Sequence, residues 1–71
     1  MNKKPELLDS VAVLHDIPDK LLKKGQVGTI VELLGNNFYE VEFTNKAGET
    51  IFTKALSSND FLVLRYAEEI L

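Results

Sequence analysis

From Val27 to Phe43 the sequence alternates along two runs, "VGTIVELL" and "FYEVEF", with "GNN" between them. No other feature constrains the fold as strongly. A two-residue period places Val27, Thr29, Val31 and Leu33 on one strand face and Gly28, Ile30, Glu32 and Leu34 on the other. Gly35, Asn36 and Asn37 are residue types that tolerate positive φ, so they predict a three-residue turn and an antiparallel hairpin. On the return strand Tyr39, Val41 and Phe43 face inward, and Phe38, Glu40 and Glu42 face outward.

The rest of the chain extends this pattern. "SVAVLHDIP" is β-branched and apolar up to Pro18, with Val11, Val13, His15 and Ile17 on one face. Before it, Pro5 and Glu6 suit one turn of helix. After it, Leu21 and Leu22 fold over the core as a lid while Lys20, Lys23 and Lys24 stay in water. "NKAGE" predicts a five-residue loop that pairs Phe43 with Ile51, Val41 with Thr53 and Glu40 with Lys54. "LSSND" reads as a single 3₁₀ turn, "FLVLRY" as a last strand and "AEEIL" as a short tail of helical character. No segment supports a helix of ten or more residues. The expected fold is all-β, a small five-stranded antiparallel SH3-like barrel with short terminal segments. It forms one domain over residues 1–71, with residues 1–5 frayed.

Size limits what this domain can do. A chain of 71 residues buries only about 60% of its unfolded surface, and a core of that size rarely supplies more than roughly 3–5 kcal/mol net. With no cysteine and a single histidine, the chain has neither a disulfide staple nor a thiolate or multi-histidine metal site. A barrel this small fills its own interior with side chains, so only an oligomer interface could give an enzyme its pocket. The expectation is a non-enzymatic protein without cofactor or metal. "MNKKPELLDS" lacks the apolar stretch of a secretory signal, and no apolar run is long enough to span a bilayer, so a cytoplasmic location without membrane contact is expected.

Few residues carry candidate chemistry. Gly25 and Gly28 with Lys23 and Lys24 match neither the P-loop nor the dinucleotide spacing, and they read as a turn leading into a strand. The hairpin register sets Glu32 opposite Glu40 and Ile30 opposite Glu42. Two opposed acids can hold a divalent cation or act as an acid/base couple. With Lys54 beside Glu40 and no further ligand, a solvated charge ladder fits better. His15 has no nucleophile or second ligand near it in the sequence and reads as a rim or half-buried polar residue. In the same register Leu34, Phe38 and Leu56 line up on the outer face of three neighbouring strands, with Phe52 beside Glu42. An apolar row rimmed by Glu32, Glu40 and Glu42 marks an interaction surface for a protein partner or a second copy.

"ELLD", "VLHDIP", "LLKKGQVGTIVEL", "YEVEF" and a strand-closing "AL" together resemble a bacterial domain-of-unknown-function family, number 4926. The resemblance runs from Glu6 to Leu64. It is most specific at Gly25-x-x-Gly28-Thr29-Ile30-Val31-Glu32 and at Tyr39-Glu40-Val41-Glu42-Phe43. It implies an SH3-like β-barrel and brings no established activity, cofactor or catalytic residue. The "G-x-x-G-T-I-V" core is also similar to the KOW element of ribosomal and transcription-elongation proteins. A nucleic-acid or ribosome adaptor of that kind would have to use Lys20, Lys23, Lys24, Lys46 and Arg65, with Phe38 or Tyr39 as a stacking partner. The flanking basic residues are mostly missing, and the net charge of −3 disfavours a phosphate backbone. A protein partner is the leading expectation, in one version a co-encoded protein that this acidic chain neutralises.

Overall fold

Residues 4–64 are described by the computed structural model, in which every strand expected from the alternating runs is present but not every register is kept. The strands are β1 (Ser10–Val13), β2 (Val27–Gly35), β3 (Phe38–Thr44), β4 (Thr50–Ser57) and β5 (Phe61–Val63). They form one antiparallel sheet in the order β4-β3-β2-β1-β5, so the fold is all-β. Its only helical pieces among the described residues are 3₁₀ turns at Pro18–Lys20 and Ser58–Asp60. The helical tail read into "AEEIL", and Arg65 and Tyr66 of the last strand, lie outside the described residues.

A sheet with no covering helix must bury its apolar face against itself. The inner face carries Val11, Val13, Ile30, Val41, Phe43 and Leu56, all buried. Tyr39 of β3 meets Phe61 of β5 edge-to-face, 5.6 Å between centroids and 85° between planes. Two strands separate β3 from β5 in the order, so this contact shows that the sheet curves around its own inner face.

That curvature is built with bulges. The turn after β2 is tighter than expected: Asn36 and Asn37, at φ 54° and 65°, form a two-residue turn, and Gly35, at φ 88°, pairs with Phe38. A bulge at Leu34 restores the pairs Leu33–Tyr39 and Glu32–Glu40. A second bulge at Val31 then sets Ile30 opposite Val41, where it is fully buried, and not opposite Glu42 as the plain alternation implies. A bulge sets two residues against one and bends the strand, which lets β2 turn Ile30 inward and keep Glu32 out.

The same device corrects β4. The loop Asn45–Glu49 has the expected length: Thr44 pairs with Thr50, and the Asn45 side chain accepts hydrogen bonds from the amides of Ala47 and Glu49. A bulge at Ile51 follows, so Phe43 faces Phe52, Val41 faces Lys54, Glu40 faces Ala55 and Tyr39 faces Leu56. The expected partners Ile51, Thr53 and Lys54 are each displaced by one. Burial explains the shift. The bulge leaves Ile51 exposed but stacks Phe52 on Phe43 at 5.3 Å and buries Leu56 completely. Covering two large side chains outweighs exposing one, at roughly 1.5–3 kcal/mol each.

The connections secure the edges. β1 stops at Val13, short of the expected strand end, and the chain folds over the turn at Pro18–Lys20. Leu21 takes a left-handed conformation (φ 60°) and stays 79% exposed, so that Leu22 drops into the core at 2%. Of the expected two-leucine lid, one leucine covers the core. Lys20 does not remain in water: its Nζ donates to the carbonyl of Ala55 at 2.6 Å and occupies part of the free edge of β4. Ser57 and Asp60 form a capping box on the second turn, and the Asp60 carbonyl accepts from the amide of Leu14. At the other end Glu6 to Asp9 make a β-turn with Leu8 at φ 70°, where a helical turn was expected.

Candidate protein-interaction surface

On the outer face of β2, β3 and β4 the side chains fall into short rows. Glu32, Glu40 and Ala55 share one row, and Thr29, Glu42 and Thr53 share the next. Towards the turn, Phe38 lies between Gly35 and Ser57. Alternation along β3 fixes this arrangement: with Tyr39, Val41 and Phe43 buried, Phe38, Glu40 and Glu42 must point out.

Of the expected surface residues, the structure brings Phe38, Glu32 and Glu40 together on one face, while Leu34, expected opposite Phe38, falls in the bulge. Phe38 is 45% exposed, and Leu34 sits exposed in the bulge next to the Gly35–Phe38 pair. Glu42 is on the same face, but its Oε2 accepts a hydrogen bond from the Thr50 hydroxyl at 2.8 Å. Phe52 and Leu56 do not belong to this surface. The bulge at Ile51 turns both to the inner face, where Leu56 is in the core and Phe52 packs against it.

The electrostatics of the acid pair also differ from expectation. Lys54 lies opposite Val41 and not beside Glu40, and its Nζ is 5.6 Å from the centroid of the Phe52 ring. The single contact at ion-pairing distance between a basic and an acidic side chain among the described residues is the hydrogen bond of His15 Nε2 with Asp60 Oδ1 at 3.0 Å. Glu32 and Glu40 therefore face each other with no cation within ion-pairing distance among the described residues. Directly opposed like charges destabilise a strand pair. His15 has a structural use, tying the loop after β1 to the Ser58–Asp60 turn.

One element of the surface escaped the sequence reading. A cleft of about 270 Å³ lies at the turn end of the hairpin, lined by Pro5, Leu33, Phe38 and Tyr39, with Lys4, Gly35 and the two turn asparagines. Ligand pockets for small molecules usually run from roughly 300 to 1,000 Å³, so this cleft is sized for a side chain. The signal that could have pointed to it is Pro5, too far from the hairpin in sequence to be placed there by periodicity.

The basic residues are not gathered in this way. Lys20 is engaged with Ala55, Lys23 and Lys24 lie in the β1–β2 connection, Lys46 in the β3–β4 loop, and Arg65 outside the described residues. The two glycines beside Lys23 and Lys24 do not form a phosphate cradle. Gly25 makes a turn at φ 92°, and Gly28 is packed in mid-sheet between Val11 and Phe43. Among the described residues no three of His, Cys, Asp and Glu converge as metal ligands, and no helix is long and apolar enough to cross a membrane.

Neither the curated proteins nor the solved structures yield a match to this sequence. The model of a family described as a domain of unknown function, DUF4926, matches residues 7–63 and so covers the whole sheet and its connections. On that match the chain belongs to the DUF4926 family.

Proposed function

We propose that this protein is a non-enzymatic, SH3-like interaction module that acts in the cytoplasm and binds a protein partner through the outer face of its β2–β3 hairpin. One form of this function is neutralisation of a co-encoded basic protein. The observation that carries the reading is the opposed pair Glu32–Glu40, without a neutralising cation among the described residues, beside the half-exposed Phe38 and Leu34. In the free domain that arrangement costs stability on two counts, through like-charge repulsion and hydrated apolar surface. A basic partner with an apolar contact relieves both.

The test is affinity capture from the native host with the wild-type chain and with Phe38→Ser, each shown by circular dichroism to be folded. The reading expects one stoichiometric, basic protein with the wild type and its loss with the variant. Capture of the same protein by both chains, or of none by either, overturns it.

A further inference from the structure

The surface also specifies the chemistry of what it binds, and this inference rests on the interaction reading above. The occupant must suit the half-exposed ring of Phe38 with an acid pair close by on the same face. Glu40 and Phe38 are two residues apart on one face of β3, a separation of roughly 7 Å, and Glu32 stands directly across from Glu40. The neighbouring positions on β4 are Ala55 and Ser57, whose short side chains leave a shelf alongside Glu40 and Phe38 for a main chain to cross. A second copy of this chain is a poor occupant. The net charge is −3, and an isologous contact through this face would set one Glu32–Glu40 pair against another.

We infer that the surface recognises an extended protein segment in which a lysine or arginine stands two residues from a bulky apolar residue. The cation sits over Glu32 and Glu40, and the apolar side chain packs on the exposed ring of Phe38. In an extended segment, residues i and i+2 are also roughly 7 Å apart on one face, matching the Glu40–Phe38 spacing.

The experiment is an NMR titration of the full-length, ¹⁵N-labelled chain with synthetic peptides capped at both ends. One contains a lysine and a leucine separated by a single glycine in a serine–glycine background. A second has glutamate in place of the lysine, and a third separates lysine and leucine by three residues. The expected result is amide shifts centred on Glu32, Phe38, Glu40 and Ser57 with the first peptide, and affinity at least tenfold weaker with the other two. Phe38→Ser should abolish the shifts. Glu32→Gln with Glu40→Gln should weaken binding about tenfold, which is the loss of one favourable charge contact. Because that double variant removes a repulsion, it stays folded and keeps the test valid if Phe38→Ser does not. Equal binding of the glutamate peptide, no shifts up to about 5 mM, or shifts confined to Ala12, Val27 and Leu62 on the far side of the outer face overturn the inference. If capture of the native partner depends on Phe38 while the peptides show no preference, this inference fails and the interaction reading stands. If capture does not depend on Phe38, both fail.

Discussion

Replacing Gly28 with alanine inserts a methyl group where three atoms already crowd. A Cβ there would lie 2.7 Å from Val41 Cγ1, 2.8 Å from the carbonyl oxygen of Glu42 and 2.9 Å from Phe43 Cε1. Gly28 is paired on both sides, with Val11 and with Phe43, so β2 cannot retreat without disturbing β1 or β3. Two of the contacts are core side chains and the third is main chain, so relief requires the strands to part. Overpacking of this kind costs typically 1–3 kcal/mol, and a main-chain clash places it near the upper end. Alanine recovers roughly 0.5–1 kcal/mol of glycine's conformational penalty, which leaves a net loss of about 2–2.5 kcal/mol. In a domain of this size each kcal/mol moves Tm by about 4–8 °C, so Tm should fall by roughly 8–20 °C. Gly35→Ala is the control. It has open space around the new methyl but sits at φ +88°, so its cost is backbone strain of about 1–2 kcal/mol. Thermal and urea unfolding followed by circular dichroism measures both. A Gly28→Ala domain within about 0.5 kcal/mol of wild type would refute the packing of Gly28 against β3 and the register that goes with it.

Three further outcomes follow from the same structure. Leu56→Ala should lose about 2–5 kcal/mol and leave the domain largely unfolded, whereas Ile51→Ala should stay within about 0.5 kcal/mol; reversal of that order in urea melts would restore the unbulged register of β4. Ser57→Ala removes the acceptor for the Asn59 amide and should cost about 1 kcal/mol, read as a Tm decrease of a few degrees. Glu40→Lys converts an opposed like pair into an opposite pair. It should raise stability by about 0.2–1 kcal/mol while abolishing partner capture, a division between stability and binding that a purely structural role for Glu40 would not produce.

The inner face of β3 was legible because Tyr39, Val41 and Phe43 alternate without interruption. The turns were legible because Gly35, Asn36, Asn37 and Gly48 are the residue types that positive φ favours, and the structure gives all four a positive φ. The bulges at Val31 and Ile51 were not. Neither position carries a glycine or any other local mark, and each bulge forms because the curved inner face gains Ile30 in one case and Phe52 with Leu56 in the other. Comparing the apolar area hidden by the two registers of β4 would have exposed the problem, since the plain register leaves Phe52 and Leu56 outside. The candidate surface inherited that error. Glu32 and Glu40 face each other as the alternation implies and share the outer face with Phe38, although Phe38 pairs with Gly35 and Leu34 drops into a bulge. Phe52 and Leu56 depend on β4 beyond its bulge, and they moved to the core. The cleft beside Phe38 needs Pro5, a contact between distant parts of the chain that no periodicity encodes.

The central claim is that Phe38 and the Glu32–Glu40 pair meet a basic protein partner. A photo-crosslinking residue placed at position 38 of the full chain, expressed in the native host, tests it most directly, with position 62 on the far side of the outer face as the comparison. The account predicts a single one-to-one adduct with a basic protein from position 38, none from position 62, and loss of the adduct when Glu40→Lys is added. An adduct with a second copy of this chain, the same adduct from both positions, or no adduct from position 38 would contradict it.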